Sequence, residues 1–167
     1  MTGTVTQISI SKGGVPKRAI ERGEITARGI TGDAWRHRQI HGIPKRTILL
    51  ITFEGLEEIE EMGFPVYPGA LGENLTTRGL DRRALRLGQQ FRCGSAVIQL
   101  TEPRAPCHTI SVYGKGMDKA IFDLAAMNGD PSSKVWGLSG FYASVKEEGL
   151  LLPGDAITLV SSEQFHH

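Results

Sequence analysis

The chain has almost no cysteine: Cys93 and Cys107 are its only thiols in 167 residues. They could form one pair at most, and with no export signal in view a structural disulfide is not expected, so both are read as free thiols. An excess of one charge is also missing, since 19 Lys and Arg face 18 Asp and Glu for a formal net charge of +1. That balance excludes a general attraction to nucleic acid or membrane, and any anion site must be local. No stretch approaches the roughly 20 apolar residues a membrane span needs. The opening Met1-Thr2-Gly3-Thr4-Val5 lacks the basic and apolar regions of a signal peptide, so a cytoplasmic location is expected.

What is present is the composition of a folded protein, 40% hydrophobic and 22% charged. The length predicts one domain over residues 1–162, with 163–167 as a tail or tag remnant whose His166 and His167 are left out of the chemistry. The 21 glycines fall in short clusters, the mark of many tight turns between short strands.

β-branched residues with partial alternation predict a first strand over 4–11, with Gly13-Gly14 as its exit. The run Arg46-Thr47-Ile48-Leu49-Leu50-Ile51-Thr52 predicts a buried strand, and Thr52 then caps an acidic helix carrying Phe53, Leu56 and Ile59 on one face. A strand over 95–101 places Ala96, Ile98 and Leu100 together. It runs into Glu102-Pro103-Arg104-Ala105-Pro106-Cys107, whose prolines predict a stiff irregular turn. A helix over 118–127 with Ile121, Phe122, Leu124 and Ala125 as its stripe, and strands over 140–146 and 156–160, complete the pattern. The fold class is mostly β: a closed or partly closed barrel with a few short helices.

Three segments suggest chemistry. Cys107 follows a strand in the proline-stiffened turn beside Arg104 and His108, cationic neighbours that favour the thiolate, the form that attacks sulfur or ligates a soft metal. An inert packed cysteine is the competing interpretation, and it is the one favoured for Cys93. In 69–77, Gly69 and Gly72 permit sharp turns while Glu73, Asn74, Thr76 and Thr77 offer polar groups, suited either to a phosphate or polar ring or to a structural turn. Trp35-Arg36-His37-Arg38-Gln39-Ile40-His41-Gly42 gathers Arg and His around one Trp. His37 and His41 have helical metal-ligand spacing, but flanking Gly32, Gly42 and Pro44 oppose a helix and no Glu follows His37, which favours an anion-binding loop or a structural histidine over zinc. No Gly-x-Ser-x-Gly, CxxC or EF-hand pattern occurs.

Taken in order, Gly29-Ile30-Thr31-Gly32-Asp33 with Arg36-His37 and His41-Gly42, then Pro68-Gly69-Ala70-Leu71-Gly72-Glu73-Asn74, then Pro103-Arg104-Ala105-Pro106-Cys107, the chain resembles the MOSC domain. This family is named after the C-terminal domain of molybdenum cofactor sulfurases, and the likeness is to its small freestanding bacterial members. It continues through Gly140-Phe141-Tyr142 to Leu152-Pro153-Gly154-Asp155, and departs at Ile43, where relatives often carry a second glycine.

The resemblance implies a mostly β barrel binding the molybdenum cofactor, a pterin dithiolene with a phosphate tail. Cys107 would either carry persulfide sulfur for cofactor sulfuration or ligate molybdenum in a reductase of N-hydroxylated compounds. Matching positions imply that Arg104 pairs with anionic cofactor groups, that Gly72, Asn74 and Thr76 meet pterin or phosphate, and that Arg36 and His41 line the same cleft. No pyridoxal phosphate is expected at this length, so a separate cysteine desulfurase or a redox partner is. A barrel that binds a small anionic ligand beside an unreactive cysteine is the remaining alternative.

Overall fold

The computed structural model describes residues 1–34 and 44–160. Eleven strands are seen there: β1 (Thr2–Ile10), β2 (Arg18–Ile20), β3 (Gly23–Thr26), β4 (Gly29–Ile30), β5 (Ile48–Thr52), β6 (Leu75–Arg78), β7 (Gln90–Cys93), β8 (Ala96–Pro103), β9 (Phe141–Glu147), β10 (Gly149–Leu151) and β11 (Ala156–Leu159). The main sheet runs β11-β7-β8-β9-β5-β6-β1-β2, and a pairing of β1 with β11 closes seven of its strands into a barrel. Closure removes exposed strand edges. A small second sheet, β10-β3-β4, lies beside it.

β1 makes the closure possible by changing partners along its length. Thr2–Thr4 face β11, Ile8–Ile10 face β2, and the other edge holds β6 across a register shift between Val5 and Gln7. The polar stretch after Gly72 was expected as a loop; residues 75–78 instead form β6, because Leu75, Thr76 and Thr77 are buried between β1 and a parallel β5. β-branched threonines suit such a slot.

The parallel pair β5 and β6 needs a crossover, and helix α1 (Phe53–Glu61) provides it. Thr52 caps α1 as expected, its hydroxyl accepting the Gly55 N–H at 3.0 Å. Every residue of β5 is buried because both of its faces are covered. Ile48 and Leu50 join the barrel core, while Ile51 packs with Leu56 and Ile59 of α1 in a second cluster. Each such side chain contributes about 1.5–3 kcal/mol by leaving water.

Two expectations need correction. The helix predicted over 118–127 is two short ones, α2 (Met117–Ala120) and α3 (Leu124–Met127). Asp123 lies between them in an extended conformation and caps α3 by accepting the Ala126 N–H at 2.8 Å. The break rotates the stripe, so Ile121 and Ala126 are buried and Leu124 is 70% exposed. Likewise, β8 does not stop before Glu102 but runs through Pro103, opposite Phe141, after a register shift between Leu100 and Glu102. Proline is tolerated at the strand's last residue, beside that irregularity; residues 104–107 then form the irregular turn.

Asn74, just before β6, binds three segments together. Its amide donates to Ser9 O at 3.1 Å and Asp33 Oδ2 at 2.9 Å, and its Oδ1 accepts the Leu49 N–H at 3.1 Å. Asn74→Ala leaves a buried donor and two acceptors unmatched at about 1–3 kcal/mol each. It is expected to lower the chemical-denaturation stability several times more than Thr52→Ala, which removes one cap worth about 1 kcal/mol.

Candidate functional site

The cleft that gathers the candidate chemistry opens between the β1 exit, the loop before β6 and the turn after β8. Cys107, Arg104, Gly72 and Asn74 line it together with Lys17 and Arg46. The loop before β6 comes this close because of Gly69, at φ +91, where a Cβ would lie 2.2 Å from the Lys17 carbonyl oxygen. Only glycine fits there. The Gly69 carbonyl in turn accepts the Lys17 N–H at 2.9 Å. Gly72 also has a positive φ, and a Cβ on it would meet Val15 at 3.1 Å.

Among the described residues three cations line the cleft, each tethered differently. Lys17, 9% exposed, pairs with Asp33 at 2.6 Å, and Asp33 is itself held by the Ser11 N–H and the Asn74 amide. Arg46 pairs with Glu102 and lies over the Tyr142 ring at 5.6 Å. Arg104 is 4% exposed and donates to Leu71 O at 2.8 Å and Ser139 O at 3.4 Å. Among the described residues Arg104 has no carboxylate at ion-pair distance. A buried guanidinium bonded only to carbonyls keeps its positive charge unmatched and has donors to spare.

Cys107 is exposed at the cleft rim, its Sγ 2.7 Å from Thr109 Oγ1, and it precedes the helical turn His108–Tyr113. Cys93 differs in every respect: it is fully buried in the barrel core, and burial pushes its thiol up to about 12. The two are free, not a disulfide.

Behind the cleft wall lies Glu73, fully buried, which accepts the Leu71 N–H and the Thr76 hydroxyl, both at 3.2 Å. Burial pushes its carboxyl up from the ordinary 4.5 to about 7, against the lowering effect of the Gly69 and Glu73 backbone, the Thr76 hydroxyl and the Arg104 charge.

The structure thus brings Cys107, Arg104, Gly72 and Asn74 to one cleft and places Thr76 behind it, hydrogen bonded to Glu73. Both amide hydrogens of Asn74 are engaged within the protein, so its part in the cleft is to fix Asp33 and, through it, Lys17. Arg36, His37 and His41 lie outside the described residues. Lys17, Arg46 and Tyr142 were not singled out from sequence. No local motif marks them, because they reach the cleft from strand ends far apart in the chain.

A closed small barrel that sets one exposed thiol beside three cations is an anion-ready, thiol-bearing barrel domain. The family model of the MOSC domain matches residues 37–158, and the chain belongs to that family, which is associated with the molybdenum cofactor. YflK of Bacillus subtilis is 29% identical over 150 residues, 89% of this chain and 63% of YflK. YiiM of Escherichia coli is 32% identical over 93 residues, 53% of this chain and 42% of YiiM. The chain therefore spans less than two thirds of these two relatives. In fold, it is similar to the crystal structure of YiiM from Geobacillus stearothermophilus, with a TM-score of 0.71 at 24% identity over 95% of this chain and 75% of that one. The YUAD protein from Bacillus subtilis gives a TM-score of 0.71 at 18% identity over 95% and 96%.

Glu73 makes stability depend on pH with a definite sign. Between its ordinary 4.5 and about 7 the folded state holds a proton that the unfolded chain has released, so stability falls as pH rises through that window. Glu73→Gln removes this pH dependence. The stability of the variant relative to the native chain is expected to increase between about pH 5 and about pH 8 by on the order of 3 kcal/mol, measured by urea denaturation.

Proposed function

We propose that this cleft binds the molybdenum cofactor and that Cys107 carries, as a persulfide, the sulfur destined for it. The observation that supports this reading is the exposed Cys107 thiol on the same cleft as buried, charge-unmatched Arg104. When bound, the cofactor supplies a redox-active molybdenum on a pterin dithiolene with a phosphate tail.

The residues present fit such a group. Arg104 has guanidinium donors left for oxygens, and Lys17 and Arg46 add positive charge on the same cleft. Gly72 keeps the wall free of a side chain. Exposure of Cys107 suits a thiol that must first meet a second protein, a cysteine desulfurase. Its thiolate attacks the outer sulfur of the donor's persulfide; a new S–S bond forms on Cys107, the donor's S–S bond breaks, and the donor leaves as a thiolate.

The exposed thiol on the cleft also supports a second reading, in which Cys107 ligates molybdenum and a redox partner supplies electrons for reducing N-hydroxylated compounds. Among the described residues no cluster of three His, Cys, Asp or Glu side chains could hold a metal. A metal here would come with its pterin, and Cys107 is the thiol on the described cleft wall able to reach it.

Protein purified from a host that makes the cofactor is expected to carry pterin and molybdenum, and Arg104→Ala to lower both by about tenfold or more. Under sulfur carriage, Cys107→Ser keeps both and loses the sulfur released by cyanide; under metal ligation, Cys107→Ser loses molybdenum. Absence of pterin and molybdenum from the native protein would reduce the cleft to a plain anion site. Cys107→Ser with cofactor, cyanide-labile sulfur and reductase activity all intact would remove Cys107 from the chemistry.

A further inference from the structure

We propose that the cleft takes up a proton together with its anion, and that the proton goes to Glu73. This rests on the anion-binding reading above and adds how the site responds to charge.

The geometry is a charge relay across a single residue. Leu71 donates its N–H to Glu73 Oε1, and the Leu71 carbonyl accepts from Arg104 Nη2 at 2.8 Å. Glu73 is fully buried and Arg104 is 4% exposed. Among the described residues neither has an oppositely charged side chain at ion-pair distance, and the Arg104 charge acts on Glu73 across the single residue Leu71. Arg104 faces the cleft, whereas Glu73 lies behind the wall.

An anion that docks on Arg104 claims that positive charge and brings negative charge of its own. Two negative groups then share one buried cation where water cannot screen them. One must be neutralised. A guanidinium does not give up its proton in a protein. Among the described residues the other titratable group acting with Glu73 is the Tyr113 phenol, which burial pushes upward, so it is already neutral near pH 7 and cannot accept a proton. Asp33 and Glu102 are committed to Lys17 and Arg46. Among the described residues the exchange falls to Glu73, poised near neutrality in the free protein. Protonation would also let it donate a hydrogen bond, to which the Thr76 hydroxyl can respond as acceptor by rotating.

The sign follows from linkage. Anion binding draws protons from the medium, so affinity falls as pH rises above about 7, by at most about tenfold per pH unit. A cofactor with a phosphate tail would be held most tightly on the acid side of neutrality and released more readily on the alkaline side.

Sulfate is a suitable probe because it stays a dianion across this range. Calorimetric titration of sulfate in two buffers of different ionisation enthalpy is expected to show an uptake of up to about half a proton per anion at pH 7, and more at pH 8. Glu73→Gln is expected to abolish the buffer dependence and to flatten the pH dependence of affinity. Carbon NMR of the Glu73 carboxyl in the native protein gives the same information without any variant: its titration midpoint should move upward when sulfate is added. Sulfate binding that requires Arg104 but shows no buffer-dependent heat and leaves the Glu73 midpoint unmoved overturns the proton coupling while leaving the anion cleft intact. Absence of sulfate binding, or binding unchanged in Arg104→Ala, overturns the anion cleft and the coupling with it.

Discussion

The arrangement depends on one side-chain amide. Asn74 reaches Ser9 in β1, Leu49 in β5 and Asp33 beyond β4, and its backbone N–H donates to Leu49 O while its carbonyl accepts from Ser9. No strand pairing joins these three places to one another. The amide satisfies their buried polar groups in the gap where β6 is only beginning, and it fixes Asp33, which fixes Lys17. A polar residue is needed because the sheet itself leaves backbone donors and acceptors open there. An amide is needed because one group must donate twice and accept once.

Immobilised charge is the second constraint. Lys17 and Arg46 each have a carboxylate partner, and Arg104 has two carbonyls. Pairing makes burial of Lys17 tolerable and weakens the pull of both Lys17 and the partly exposed Arg46 on a ligand, whereas Arg104, hydrogen bonded only to carbonyls, presents its charge to the cleft. Such a preset cation costs little reorganisation when an anion arrives, and that favours binding over any contribution to stability.

Much of this was legible in the sequence, and the failures have physical causes. The run over Ile48–Thr52, the part of β8 up to Thr101 and the Thr52 cap could be read because burial and capping leave periodic or local signatures. β6 could not, since Thr76 and Thr77 look like polar loop residues until the partners that bury them are known. The helix over 118–127 failed because Asp123, a plausible solvent-facing residue in a helix, is instead the cap of a new one. In the site, Cys107, Arg104 and the glycine loop stood out through proline and glycine punctuation. Lys17, Arg46 and Tyr142 did not, because closure of the barrel alone brings them into one place.

The cleft's position follows from the way the interior is divided. One apolar cluster fills the barrel, with Ile48, Leu50 and Phe141; the other lies under α1 and the turn after Cys107, with Ile51, Leu71, Ile110 and Leu138. Arg104 sits where they meet, its backbone bonded to Gly140 before β9 and its guanidinium to Leu71 and Ser139 on the helix side. A seam between two cores is where buried polar groups can be satisfied without opening either one, and it is also where a ligand can enter without unpacking the barrel. The two thiols divide along the same line. Cys93 inside the barrel is packed and held neutral, and Cys107 at the seam stays in reach of solvent, so one protein keeps an inert cysteine and an available one without any difference in intrinsic chemistry.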